Sequence, residues 1–322
     1  MDLQQIQYRE AIVTFIDILG FRTLLASLSA NEVFDILSVF HAQYKKNSLS
    51  NHESEFGKSY NTDVHFFSDS AVRIKYTDFE DTLFNTASDE IISLAVIQFE
   101  LIKRNILVRG GCVKGMVYSN PTSNILFGPA LIEASELEKK ALYPRIIMSD
   151  NVYHDYMADM STSTHWIKKD GWANRGAYYM DVADVKYNSE GWKIDAITYG
   201  LNDHITREKQ YFINCFWGNI HSTILMIQSK RLTNDAKSYL ADTLMKQIDI
   251  CLSSFTYFDE IILNEDSDER VKIKQIWARF QIHETIKDVF EWIYGFEISR
   301  LLEQDLINKL KEKADTFFSR YS

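Results

Sequence analysis

Two aspartates stand where carboxylates are costly to keep. Asp17 lies in Phe15-Ile16-Asp17-Ile18-Leu19-Gly20-Phe21 and Asp69 in His65-Phe66-Phe67-Ser68-Asp69-Ser70, each inside an apolar, strand-like stretch. A strand that is apolar on both sides of a carboxylate is expected to be buried, and a buried carboxylate neutralises, finds a cationic partner or binds a metal. Two such aspartates suggest one cation site. Asp17 runs at once into Leu19-Gly20-Phe21 and a helix-like segment, so free N–H groups of a helix start would sit beside the ion and could hold phosphate. A metal next to a phosphate cradle is the equipment of nucleotide chemistry. The structural alternative is a pair of aspartates that cap turns or pair with basic residues, a general habit of Asp.

These residues need elements to hold them. The β-branched and aromatic run from Tyr8 to Ile18 predicts a core strand, ended by Gly20 and followed by a short helix over Arg22 to Leu28. Asn31 reads as the N-cap of a helix carrying Val33, Phe34, Ile36, Leu37, Val39, Phe40 and Tyr44, and Lys45 to Asn61 as a surface loop. Strands over Asp63 to Phe67 and Ala71 to Tyr76 put Asp69 at a hairpin tip. A long helix from Phe79 to Arg104 follows. The strand from Ile106 to Tyr118 is broken by Gly110, Gly111 and Gly115, which predicts close approach of a helix or ligand to its backbone. Then come a short strand at Ile125 to Phe127, a helix from Pro129 to Leu142 opened by its proline, and a strand at Arg145 to Met148.

That succession predicts an α+β fold, a ferredoxin-like core with a mostly antiparallel sheet and helices on one face. After about Tyr199 amphipathic helical runs dominate: Asn219 to Gln228, Asn234 to Phe255, Asp268 to Phe290 and Leu302 to Tyr321. The expected division is therefore 1–200 and a helical region at 201–322. Ile273, Ile276, Trp277 and Phe280, then Ile282, Ile286, Val289, Phe290 and Ile293, recur at helical spacing and read as core or dimer surface. Trp166, Trp172, Tyr178 and Tyr179, around Asp170-Gly171, read as an extra hairpin.

Composition excludes several functions. The net charge of −10 over 322 residues argues against a general nucleic-acid binder, which shows a basic face. There is no N-terminal charged-then-apolar signal and no apolar run near the roughly 18 residues that span a bilayer. A soluble, cytoplasmic protein with no membrane contact is expected. Cys112, Cys215 and Cys251 are far apart and lack metal-ligand spacing, so neither a disulfide framework nor a structural zinc site is expected. Ser68 and Ser70 lack the Gly-x-Ser-x-Gly turn of a hydrolase and read as hairpin hydrogen bonds. The glycines after Val108 form neither a Walker loop nor a dinucleotide fingerprint. Lys139-Lys140 and Lys168-Lys169 read as solvated faces.

Four pieces in order resemble the class III nucleotidyl cyclases, most closely the bacterial pyrimidine cyclases of the Pycsar antiphage system. They are Phe15 to Phe21; Ser68-Asp69-Ser70; Val108-Arg109-Gly110-Gly111 with Lys114-Gly115; and Phe127-Gly128-Pro129-Ala130-Leu131 through Ala134, Leu137-Glu138 and Ala141 to Tyr143-Pro144-Arg145-Ile146. They span about residues 10 to 150.

The resemblance implies two Mn²⁺ or Mg²⁺ ions held by Asp17, Asp69 and the carbonyl of Ile18, with Leu19, Gly20, Phe21 and Arg22 receiving the terminal phosphates. Hard carboxylate oxygens suit those ions. It also implies a homodimer with its sites at the interface, where Asp17 and Asp69 of one chain face the glycine-rich and Arg145 regions of the other. The likeness breaks down on the helix after Gly128. The asparagine and arginine that stabilise the transition state in purine cyclases align with Ile132 and Glu136. Arg109 and Arg145 are the candidate replacement cations, with pairing to the acids of the 133–138 helix as the structural alternative.

The base-reading positions hold His65 and Ile125, so neither the lysine-aspartate pair that reads adenine nor the glutamate that reads guanine is present. ATP and GTP are disfavoured, and UTP is expected ahead of CTP. A buried structural role is the alternative for His65. The resemblance further implies that the cyclic nucleotide acts on a separate effector protein. The other function classes are a catalytically inactive cyclase-like nucleotide sensor or dimerisation module, and a ferredoxin-like RNA-binding domain. The acidic charge and the opposite facing of adjacent Phe66 and Phe67 speak against the last.

Overall fold

The computed structural model describes residues 6–46, 62–78, 85–158, 183–186, 210–213, 215–228, 233–294 and 304–321. In chain order these form β1 (Arg9–Ile18), α1 (Phe21–Ser27), α2 (Ala30–Lys46), β2 (Thr62–Phe67), β3 (Ser70–Tyr76), α3 (Thr86–Ile102), β4 (Val108–Asn120), β5 (Ile125–Phe127), α4 (Pro129–Lys140) and β6 (Ile146–Met148). A helix at 150–158, α5, comes next. The rest are β7 (Ala183–Lys186), β8 (Gln210–Ile213), α6 (Cys215–Gln228), α7 (Asn234–Leu263), α8 (Glu269–Tyr294) and α9 (Gln304–Tyr321). The aromatic segment with Trp166, Trp172, Tyr178 and Tyr179, Lys168-Lys169, residues 47–61 of the expected surface loop and 79–84 of the expected long helix lie outside the described residues. Two compact units result: Met1–Ser163 with Ala183–Tyr187 and Lys209–Ile213, and the remainder.

β1 is the centre of the first unit. It pairs antiparallel with β3 on one side and β4 on the other, and β2 pairs antiparallel with β3. The strand order β2-β3-β1-β4 is that of a ferredoxin-like core, as expected. β6 then joins parallel to β4, and β8 and β7 continue the edge antiparallel, so the sheet is mixed.

The sheet carries helices on both faces, not one. Ala11, Ile12, Val13 and Ile16 of β1 are all buried. A strand apolar on both pleats needs cover on both. On one face Ala11, Val13, Val72, Ile74, Val113 and Val117 pack against Ala130 and Ala134 of α4. On the other, Arg73 of β3 donates two hydrogen bonds of 2.9 Å to Glu90 of α3 and a longer one, 3.4 Å, to the Tyr44 carbonyl of α2. Thr14 of β1 also donates to Glu90, and Lys75 pairs with Asp89.

Several local expectations need correction. The N-cap of α2 is Ser29, not Asn31, which lies inside the helix. Ser29 and Glu32 form a capping box, with the Ser29 N–H and hydroxyl both 2.7 Å from the Glu32 carboxylate. Phe34 is 69% exposed, so the buried stripe of α2 is Val33, Phe40 and Tyr44. α3 begins at Thr86, capped by Asn85, whose side chain accepts from Ser88 N. The glycine interruptions of β4 do mark close approach. A Cβ built at Gly111 would lie 2.3 Å from the Ala134 carbonyl oxygen and 2.7 Å from Glu138 N, so α4 can rest on β4 only where that side chain is missing.

The described residues of the second unit are predominantly helical. Ile273, Ile276, Trp277, Ile282, Ile286, Val289 and Phe290 of α8 are buried, as their spacing predicted. Phe317 of α9 has its ring centroid 5.3 Å from that of Phe255 on α7 and 6.4 Å from that of Phe290. Among the described residues no helix is long and apolar enough to cross a membrane.

Candidate active site

One cross-strand row gathers the chemistry. Phe67, Ser70, Asp17 and Arg109 are successive neighbours across β2, β3, β1 and β4, on the same pleat as Val13 and Val72 and so on the α4 face. The Ser70 hydroxyl donates to Asp17 Oδ1 at 3.0 Å. It was expected to bond within the hairpin, and instead it orients the other aspartate. Arg109 Nη2 lies 3.6 Å from Asp17 Oδ2, and Arg109 Nε lies 2.7 Å from Glu138 Oε1 on α4.

Burial raises the pKa of Asp17, and the charge of Asp69 adds to this, while the Ser70 hydrogen bond and Arg109 oppose. Glu138 is raised too, by burial first and by Asp17, with Arg109 again opposing. The two carboxylates share one guanidinium, and the charge of Asp17 disfavours charge on Glu138.

Asp69 sits at the expected hairpin tip. Its neighbour Ser68 takes a positive φ of 58° to close the two-residue turn between Phe67 and Ser70. The Asp69 carbonyl accepts from Ile18 N at 3.0 Å, which ties the turn to the end of β1. His41 of α2 backs the turn, with Nε2 3.4 Å from the Ser68 carbonyl oxygen and its ring 4.1 Å from Phe66.

Gly20 caps α1 in the left-handed region, φ 80° and ψ 15°, and a Cβ there would touch nothing within 4 Å, so conformation and not space calls for glycine. Its carbonyl receives the N–H groups of Thr23 and Leu24. The Leu19 N–H is used by the Leu107 carbonyl at 2.8 Å, so of the four phosphate-binding candidates Gly20, Phe21 and Arg22 have first-turn donors to offer. Phe21 is buried and Arg22 exposed.

The remaining candidates lie apart from this row. His65 pairs in register with Val72, one step along the same face. It is buried, with Nδ1 3.1 Å from Asn124 Oδ1 and Nε2 2.8 Å from Ser119 Oγ. Ile125, half exposed, opens β5 opposite Asn120. The Arg145 guanidinium is buried between the rings of Tyr143 and Phe212, at 5.2 and 5.5 Å, and burial pulls its pKa down to about 10. Its carbonyl accepts from Gly110 N. Ile132, 63% exposed, and Glu136 lie on the outer side of α4.

The donor set fits a hard divalent cation. Two carboxylates meet a strand end, and positive charge would offset the burial and the Asp69 repulsion that raise the pKa of Asp17. Among the described residues no group of three or more His, Cys, Asp or Glu is disposed to hold a metal. An ion here would complete its shell with backbone, water and phosphate oxygens, the usual manner of Mg²⁺. The structural alternative for Arg109, pairing with an acid of the 133–138 helix, is observed with Glu138 as that acid, whereas sequence reasoning missed Ser70 as the donor to Asp17. Glu138 and Ser70 both stand in the motif segments, but only the register shows which way they face.

No protein-family model and no curated protein sequence matches the chain. Similar folds occur among solved structures. The adenylyl cyclase CyaB from P. aeruginosa overlays 65% of this chain and 95% of its own, with TM-score 0.42 and 16% identity. The monomeric guanylyl cyclase domain of the RhoGC fusion protein from the aquatic fungus Blastocladiella emersonii overlays 64% of this chain and 95% of its own, with TM-score 0.39 and 16% identity. For the guanylyl cyclase Cya2 the shares are 65% and 92%, with TM-score 0.38 and 9% identity. Overlays this partial say nothing of substrate or mechanism.

Proposed function

We propose that this protein is a nucleotidyl cyclase whose substrate is a pyrimidine nucleoside triphosphate, UTP ahead of CTP, converted to the 3′,5′-cyclic monophosphate and pyrophosphate. The observation that carries the reading is the junction of the Asp69 turn with the end of β1, where the Ile18–Asp69 backbone bond and the Ser70–Asp17 hydrogen bond bring both aspartates beside the Gly20 turn.

In the reaction the 3′ oxygen forms a bond to the α phosphorus and loses its proton, while the bond from that phosphorus to the bridging oxygen breaks and pyrophosphate leaves. Mn²⁺ or Mg²⁺ held by Asp17, Asp69 and the Ile18 carbonyl would supply the positive charge that eases loss of that proton and neutralises the leaving group. The first-turn N–H groups at Gly20, Phe21 and Arg22 suit the terminal phosphates, with Leu19 fixing the turn. Arg109 is the cation beside Asp17 and takes the part of the missing transition-state arginine. Arg145 would have to leave its burial between Tyr143 and Phe212 to act from the partner's side of a homodimer interface. Ile125 would lie toward the base, while His65, buried with both ring nitrogens engaged by Asn124 and Ser119, fits the structural alternative; the lack of purine-reading residues at these positions supports a pyrimidine. The cyclic product would serve as a cytoplasmic second messenger in antiphage defence, acting on a separate effector.

A second reading, a cyclase-like nucleotide sensor without turnover, draws support from Ile132 and Glu136 on the outer side of α4. UTP turnover with Mn²⁺ in Asp17→Ala and Asp69→Ala, together with the mass of the assembly by light scattering, separates the two. The cyclase reading expects turnover lost and the dimer retained. Undiminished turnover in either variant contradicts the metal assignment, and UTP binding without turnover in the unaltered chain favours the sensor.

A further inference from the structure

Arg109 stands between two carboxylates of unequal exposure. Its contact with Asp17 is long, 3.6 Å from Nη2 to Oδ2, and the Asp17 side chain is 21% exposed. Its contact with Glu138 is short, 2.7 Å from Nε to Oε1, and the Glu138 side chain is 5% exposed. Glu138 is fixed from behind, because Gly111 lets its turn of α4 lie against β4 with no side chain between. The guanidinium is thus ion-paired with both carboxylates, closer to Glu138, though without hydrogen-bond geometry there, than to Asp17. A guanidinium carries five N–H donors, and these two contacts leave donors over for a third oxyanion.

A cation entering at Asp17 would compete with Arg109 for the same carboxylate. Without another acceptor close by, the guanidinium would close on Asp17 as a two-pronged ion pair and hold the ion off. Glu138 removes that competition. We infer that Glu138 is a positioning residue that holds the Arg109 guanidinium back from Asp17, so that the carboxylate is open to a divalent cation and Arg109 is kept for the phosphate oxygens. The inference rests on the proposed metal-binding role of Asp17.

The test is Mn²⁺ binding to the full chain without nucleotide, followed by the electron paramagnetic resonance signal of free Mn²⁺, with folding checked by circular dichroism. Glu138→Gln is expected to weaken binding about tenfold or more, the usual loss when an outer-shell partner of a metal ligand is removed. Arg109→Ala added to Glu138→Gln is expected to restore it, because the competing guanidinium is gone. A merely structural role for Glu138 would leave the double variant as weak as the single. Glu138→Asp, which keeps the charge and shortens the reach, should fall between, and it serves if the glutamine variant does not fold. Binding by Glu138→Gln equal to the unaltered chain, or no recovery in the double variant, overturns the inference alone. Mn²⁺ binding that is absent, or unchanged by Asp17→Ala, overturns the metal assignment and the inference with it.

Discussion

The Ser70 hydroxyl donates to Asp17 Oδ1 at 3.0 Å, so the residue that follows one site aspartate orients the other. Burial, and after it the charge of Asp69, holds the Asp17 pKa above its ordinary 3.8, and Ser70 pulls it back down. Ser70→Ala removes that pull. Protons compete with the cation for this carboxylate, so activity at subsaturating Mn²⁺ falls as pH drops through the Asp17 pKa. In the variant the fall should begin at higher pH. The acid limb of kcat/KM against pH measures it, and an unshifted limb would show that Ser70 does not act on Asp17.

Gly111→Ala should damage both fold and site. Its Cβ would lie 2.3 Å from a backbone oxygen of α4, which a flexible side chain cannot relieve. Overpacking of this kind costs roughly 1–3 kcal/mol, and moving α4 also pulls Glu138 from Arg109. Urea unfolding together with UTP turnover reads both. A variant as stable and active as the unaltered chain contradicts the tight contact of α4 with β4.

Glu90→Ala tests the opposite face of the sheet. The Arg73 and Glu90 side chains are 0% and 1% exposed, so removing the acid strands a buried guanidinium, and a loss of about 3–5 kcal/mol is expected. Burial pushes the Glu90 pKa up, but Arg73, Lys75 and Thr14 outweigh it, and the net shift is downward from 4.5. A depressed carboxylate stabilises above its unfolded pKa and ceases to do so as pH falls through its folded value. The stability gap between the two proteins should therefore be full near neutral pH and narrow below about 4.5, as thermal unfolding at several pH values would show. A gap that widens in acid contradicts this sign.

The three thiols should be inert in the native state. Cys112, Cys215 and Cys251 are buried, and burial pushes Cys112 and Cys215 up to about 12 and Cys251 higher still. The thiolate is the reactive form. A chromogenic disulfide reagent at pH 8 should report no fast-reacting thiol in the folded chain and all three in denaturant. A fast native thiol would show that one of these sites opens readily.

The meeting of the aspartates was legible because local rules fix it: a two-residue turn sets the register of β2 on β3, and the apolar run of β1 makes it central. Gly111 and Gly115 were legible as a missing side-chain layer, although the sequence left open whether a helix or a ligand filled it, while Gly110 faces the backbone of β1 instead. Arg73 and Lys75 were not legible as buried. They alternate with Val72, Ile74 and Tyr76, and a period of two cannot tell a face in water from a face whose charges meet Glu90 and Asp89. The N-cap of α2 turned on three residues, since Ser29 and Asn31 are both good caps and only Glu32, three after Ser29, decides between them. Glu138 is one of several acids on α4, and it is the approach at Gly111 that selects it to face Arg109.

The central claim is tested most directly by identifying the product. The purified protein is incubated separately with UTP, CTP, ATP and GTP in Mn²⁺, beside an Asp17→Ala control, and the nucleotides are resolved by mass spectrometry. Cyclic UMP, or in second place cyclic CMP, formed by the unaltered protein and missing from the control is the predicted result. No cyclic product from any of the four, or equal product from the Asp17→Ala control, would contradict it.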